Sequence, residues 1–305
     1  MKYTSILVAL SAMFSFGNAQ AGPNTLARYN PANRTMSVNA TYCLLPINKS
    51  LVKTITGYEP LDIDRSILPS FPAGKHPLIV QAGYENDIRM TALNLIPLQI
   101  ASLMQGSLIV PFVDATKDGK TAIGAPVNVY LGGTNGQTLQ AIVPTIASSV
   151  SPFEGTTIFP ATFAPDTSAA KTLPNGFYSI QAKPYLLPNT ISGPGIYAEA
   201  FDMLFKLTKT SPYTAHTFHS LLNIPQLLNN KKCQRNTIYF NETFADPKMA
   251  VGDVTLYHQI LVTPPAGLEG TYTDVYCYSA NGQLVSGVGE SCSAAAANMD
   301  PKAKI

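Results

Sequence analysis

Charge is scarce in this chain of 305 residues: Asp, Glu, Lys and Arg together make up only 12%. With 46% hydrophobic residues beside them, so few charges argue against disorder and against an extended nucleic-acid-binding surface. Acidic and basic residues nearly balance, 18 against 20, and no charge run stands out, so steering of a polyanion is not expected. Long apolar runs are missing too. The run over residues 6–16 is too short for a bilayer crossing, which takes about 20 residues. The polar, charged residues 300–305 do not read as a lipid-anchor signal. No C-x-x-C spacing occurs, so no metal site is expected. There is no G-x-S-x-G elbow, which sets aside a standard α/β-hydrolase. No G-x-G-x-x-G or P-loop is present either, so no nucleotide and no other cofactor is implied. Internal repeats and low-complexity linkers are also lacking.

What is present begins with a leader. Lys2, the apolar run and the small residues Ala19 and Ala21 form the three parts of a signal peptide, with cleavage before Gly22. Residues 1–21 are therefore read as the signal, and 22–305 as one β-rich domain. Four N-x-S/T triplets follow, at Asn33, Asn39, Asn48 and Asn241, and each is an expected glycosylation site. In residues 35–44, alternation puts Asn39 on the polar side with Thr35, Ser37 and Thr41; Asn241 sits likewise in 236–244. Four cysteines, Cys43, Cys233, Cys277 and Cys292, suit two disulfides in an oxidising compartment. Three connectivities exist, and the favoured one joins Cys277 to Cys292 and Cys43 to Cys233. A secreted, extracellular glycoprotein is the expected product.

Most of the remaining chain reads as strands: 35–46, 78–90, 107–114, 126–132, 177–183, 195–207, 236–244, 251–262 and 271–288. Asn281-Gly282 predicts a two-residue hairpin inside the last of these. Short helices are expected at 49–56, at 213–224 (ended by Pro225) and at 293–298, while 137–149 is ambiguous. The fold class is mainly β with a few short helices, arranged as an antiparallel barrel or sandwich.

Function is sought where charge interrupts an apolar strand face, because burying a charge is costly without a partner or a purpose. Glu199 lies among Tyr197, Phe201, Met203 and Phe205; Glu242 among Ile238, Phe240 and Phe244; His258 among Val254, Leu256 and Ile260. If their strands are neighbours, the three form an acid/base cluster; each also has a plain reading as a satisfied core polar group. His216 and His219, one helical turn apart, share a face and are candidate ligand contacts, as is Arg235. The histidine pair equally suits a solvated or capping role. Arg89 shares a polar strand face with Glu85 and Asp87, which reads as a surface ion-pair ladder.

The segment Tyr42-Cys43-Leu44-Leu45-Pro46, through Lys53, to Tyr58-Glu59-Pro60-Leu61-Asp62-Ile63 resembles the early strand, short helix and turn of the acetoacetate decarboxylase superfamily. Residues 106–113, then 127–132 and Asn135, resemble that family's next strands and turn. The likeness spans about residues 40–150. It implies a β-barrel with a deep apolar pocket and, in the family's decarboxylases, a lysine of lowered pKa that forms a Schiff base. Residues 136–156, where that lysine would stand, contain none, so no catalytic residue is carried over and Schiff-base decarboxylation is not expected. Lys183 and Lys206 lie in apolar surroundings but do not match the motif. The whole chain also resembles a group of secreted fungal proteins, on Ser211-Pro212-Tyr213-Thr214-Ala215-His216 and Cys233-Gln234-Arg235-Asn236-Thr237.

Two functions stand side by side. The first is binding or transformation of a small apolar keto- or enol-bearing ligand in a barrel by a lyase or isomerase, in a setting such as fungal secondary metabolism. The second is a non-catalytic secreted or cell-surface module whose interior is filled. Neither involves nucleic acid or a membrane span, and the sequence leaves the oligomeric state open.

Overall fold

The computed structural model of the chain describes residues 21–92, 96–137, 140–141, 144, 158–184, 200–240, 243–257 and 267–304. Four long strands come first: β1 (Arg34–Asn48), β2 (Lys75–Ala92), β3 (Ile96–Val113) and β4 (Ile123–Gly132), with helix α1 (Leu51–Thr56) after β1. Then come β5 (Ile158–Ala164), β6 (Lys171–Thr172), β7 (Tyr178–Pro184), β8 (Phe201–Leu207) and helix α2 (Ala215–Leu222). The chain ends with β9 (Gln226–Leu227), β10 (Cys233–Tyr239), β11 (Lys248–Leu256), the 21-residue β12 (Gly270–Glu290) and helix α3 (Cys292–Ala297).

The twelve strands of the described residues join one sheet, and its pairings close twice. The order β1-β2-β3-β4-β5-β7-β8-β11-β12 returns to β1, which completes a first ring. A shortcut from β12 through β10 and β9 back to β4 completes a second ring on the shared strands β1 to β4 and β12. The mainly-β barrel or sandwich class is what forms, in a curled sheet that is not a single clean barrel. Two pairings, β4 with β5 and β4 with β9, are parallel rather than antiparallel. Parallel neighbours need a long connection to bring the chain back to the same end, and residues 133–157 between β4 and β5 supply that length.

Sharing strands between two rings buries both of their faces. Along β1, Cys43, Leu45 and Ile47 enter a first apolar core with Val80, Met104, Tyr130, Phe201 and Phe205. Its even-numbered residues, Met36, Val38, Ala40, Tyr42 and Leu44, enter a second core with Phe218, Leu221 and Tyr278. The polar side of 35–44 is therefore not solvent-facing: Thr35, Ser37 and Thr41 are buried and Asn39 is half-buried. An N-terminal turn covers part of this side, where Gln283 Oε1 accepts from Thr25 Oγ1 (3.1 Å) and Leu26 N (3.0 Å).

Helix α2 forms inside the expected 213–224. It starts after Thr214, whose N–H donates to Thr217 Oγ1 (3.4 Å), and ends before Pro225. Phe218 stacks on Tyr278 with centroids 5.3 Å apart, and a fully buried aromatic of this kind contributes roughly 1.5–3 kcal/mol. Asn223, at the helix end, is wholly buried. It accepts from Ile238 N (2.7 Å) and donates to Ile238 O (3.0 Å) and Ala303 O (2.6 Å), which ties helix, strand and C-terminal turn together.

Two expectations are corrected. No hairpin forms at Asn281-Gly282, because β12 runs straight through it, paired with β1 on one side and with β11 and then β10 on the other. Gly282 serves a close approach instead: a Cβ there would lie 2.9 Å from Ile238 Cγ2 and 3.1 Å from Phe240 Cδ1. The disulfides are Cys43–Cys277 and Cys233–Cys292. Cys43 and Cys277 are direct partners across β1 and β12, a register possible only because β12 does not fold back on itself.

Candidate functional site

The second ring encloses a cavity of about 250 Å³. Its walls are apolar: Met36 from β1, Ile88 from β2, Leu103 and Ile109 from β3, Leu131 from β4, Leu222 from α2 and Ile238 from β10. Into it project Arg34 of β1, Gln81 and Glu85 of β2, Gln105 and Ser107 of β3, and Asn236 of β10. A few polar groups converging in an apolar hollow is the usual make-up of a small-molecule site. A second hollow, about 280 Å³ beside Thr56, Tyr58, Leu227 and Lys231, holds no buried charge and is not the candidate.

The register places the polar groups. Arg34 on β1 lies opposite Ser286 on β12, which in turn lies opposite Asn236 on β10. Arg34 Nη2 donates to Ser286 Oγ (3.1 Å), while its Nε is buried without a partner among the described residues. Asn236 Nδ2 donates to Gln226 Oε1 (2.8 Å), and its Oδ1 likewise lacks a donor. Among the described residues lining the cavity, these are one unmet charged N–H and one unmet carbonyl oxygen. A buried unmet polar group costs about 1–3 kcal/mol, so a ligand that meets both gains about that amount for each.

Glu85 is the buried carboxyl of the cavity lining. Burial pushes its carboxyl up to about 7, and the Arg34 charge pulls partly against that. Burial also lowers the Arg34 pKa, with Glu85 opposing, yet a guanidinium stays charged at neutral pH. A carboxyl that titrates near neutrality beside a fixed cation is suited to giving and taking a proton at a bound carbonyl compound. Nearby, burial, then Tyr278 and Glu85, raise the Tyr42 hydroxyl, so it stays protonated.

Glu199, Glu242, His258 and the sequon residue Asn241 lie outside the described residues. Arg235 points away from its cavity-lining neighbours Gln234 and Asn236, and its Nε donates to Glu290 Oε1 (2.6 Å). His216 Nδ1 donates to the Lys304 carbonyl (2.8 Å). His219 is buried, stacks on Phe240 at 4.8 Å and shares a hydrogen bond with Tyr278 (3.0 Å). None of these three lines the cavity. Among the described residues no group of His, Cys, Asp and Glu is placed to hold a metal. No lysine lines the cavity among the described residues. Of the other sequon residues, Asn48 is exposed and Asn33 half-buried.

Arg34 and Glu85 line the candidate cavity, and sequence reasoning missed both. Alternation predicts Glu85 on the polar face of Asp87 and Arg89. Those two do form a surface ion pair (2.8 Å), but the backbone adopts a left-handed conformation at Asp87 (φ 48°), and the β1–β2 register slips between Thr35 and Ser37. The alternation changes phase there, so Glu85 points inward while Asp87 and Arg89 point out.

No family model matches the chain, and no curated protein does. Among solved structures, the chain is similar to the enduracididine biosynthesis enzyme MppR complexed with pyruvate, at 8% identity over 85% of this chain and 89% of that one, TM-score 0.47. It is similar to acetoacetate decarboxylase from Legionella pneumophila at 12% identity, over 85% and 87%, TM-score 0.45. It is also similar to an acetoacetate decarboxylase-like enzyme from Sphingomonas wittichii at 8% identity, over 85% and 92%, TM-score 0.46. At these identities and scores no residue role or activity is carried over from them.

Proposed function

We propose that the chain binds a small oxo acid or β-dicarbonyl compound in the second-ring cavity and moves a proton on it, as an isomerase or lyase does. The observation that carries this reading is the pairing of a titrating buried carboxyl, Glu85, with the unmet Nε of Arg34 inside an apolar hollow. A volume of about 250 Å³ takes roughly eight to ten non-hydrogen atoms. Arg34 holds the carboxylate or enolate oxygen, and Asn236 Oδ1 accepts from a hydroxyl or enol. Glu85, as carboxylate, removes a proton from the carbon beside the carbonyl and returns it to the rearranged product. Glu199, Glu242 and His258 belong to the proposal as further acid/base groups. The setting proposed is the secretory pathway, where the two disulfides would form and persist.

The test is deuterium exchange followed by proton NMR. Purified protein is incubated in heavy water with a panel of small α-oxo acids and β-dicarbonyls. The expected result is protein-dependent exchange beside the carbonyl, lost in Glu85→Gln, with binding itself lost in Arg34→Met. Binding without exchange would favour the non-catalytic module. Exchange that persists in Glu85→Gln, or no binding by any panel member, overturns the assignment.

A further inference from the structure

Among the described residues the first ring holds an apolar core, and beside it lies a groove of about 210 Å³. Its lining is layered by register. Thr41 of β1, Ser279 of β12 and Lys248 of β11 form one cross-strand row, one step above the Cys43–Cys277 disulfide. Tyr178 and Phe205, stacked at 5.6 Å and 16°, form an aromatic floor. Asn39, the acceptor of the sequon Asn39-Ala40-Thr41, opens into this same groove. Directly across from it on β12, Asn281 keeps a buried side-chain oxygen without a donor among the described residues.

We propose that Asn39 is a glycosylation site whose first N-acetylglucosamine lies in this groove beside the first ring. The inference rests on the secretory reading. In the transfer, Asn39 Nδ2 displaces a lipid-linked pyrophosphate from the anomeric carbon of the sugar. Nδ2 gives up one proton, forms the C–N bond and keeps one N–H. The sugar is attached before the strand is zipped between β2 and β12, so the folded chain must hold it where Asn39 points. That direction is unusual for a sequon, because Asn39 is in mid-strand with both neighbours paired, whereas Asn48 is exposed at a strand end. The groove supplies what a sugar ring needs: an apolar aromatic floor for one face, and Thr41, Ser279 and Lys248 as hydrogen-bonding groups at its edge.

The experiment uses the full chain secreted from a glycosylating host. Site occupancy is mapped by peptide mass spectrometry, and release by peptide:N-glycosidase is timed on native and on denatured protein. Asn39 is expected to be occupied. Its native release should run about tenfold or more slower than that of Asn48, because the enzyme must await a local opening, and denaturation should abolish the difference. An empty Asn39 beside an occupied Asn33 or Asn48 overturns the proposal and leaves secretion standing; so does an occupied Asn39 released as fast as Asn48. If every asparagine is bare in a secreted product, the glycoprotein reading falls with it.

Discussion

Replacing Glu85 with glutamine should make the protein more stable, and only above a defined pH. The carboxyl is held neutral by burial, with its pKa raised from 4.5 to about 7. In the unfolded chain it ionises near the lower value. Between the two pH values the folded state therefore binds more protons, and the unfolding free energy falls as pH rises. The stabilising contribution is whole below about 4.5 and is lost as pH climbs through about 7. A shift of this size corresponds to about 3 kcal/mol, since one pKa unit is about 1.4 kcal/mol. Glutamine keeps the shape and never ionises. Urea unfolding with both disulfides intact, followed by circular dichroism across a pH series, reads the difference. At the acid end the wild type and Glu85→Gln should coincide; at about pH 8 the variant should lead by roughly 3 kcal/mol. Two curves that stay parallel across the series would refute the buried, titrating carboxyl and the acid/base role built on it. A gain in stability from removing a working group is the usual sign of a site held under electrostatic strain.

Further outcomes follow from other contacts. Arg34→Met removes the cation that restrains the Glu85 shift, so the pH midpoint of the stability loss should move upward, read in the same titration. Gly282→Ala forces a Cβ against Ile238 and Phe240 and should cost about 1–3 kcal/mol by overpacking, measured by calorimetry, without altering the length of β12. Asn223→Ala leaves the buried Ile238 amide unmet and should cost about 1–3 kcal/mol, with faster amide exchange over residues 300–304 as the C-terminal turn loses its anchor. Replacing Cys43 and Cys277 together by alanine opens a loop of 234 residues and should cost up to about 5 kcal/mol in the chain-entropy model, while a non-reducing peptide map of the wild type should find Cys43 joined to Cys277.

Much of the architecture was legible in sequence because it follows local rules. Helix α2 announced itself through the spacing of Phe218, Leu221 and Leu222 ahead of Pro225, and β1 through ten residues of strict alternation. What alternation could not show was that β1 is walled on both sides, so its threonines and serine are buried rather than wet. The Asn281-Gly282 signal failed because tertiary pairing outweighed turn preference: an extended strand already hydrogen-bonded along both edges has no reason to reverse. Glu85 was hidden by a single left-handed residue, Asp87, which turned a surface ladder into one inward and two outward charges. Arg34 gave no signal at all, since it opens its strand with Asn33 before it and Thr35 after it, inside a sequon. His219 read as a ligand contact because helical spacing reports which face a residue occupies and not what covers that face; here Phe240 and Tyr278 do.

The strand that completes both rings is the twelfth, and it is the last sheet element to be synthesised. Until its 21 residues leave the ribosome, β1 has waited through more than two hundred residues with one long edge open. Such an edge is a ready template for pairing with another chain. Premature truncation anywhere before residue 270 should therefore yield aggregate rather than a smaller folded piece.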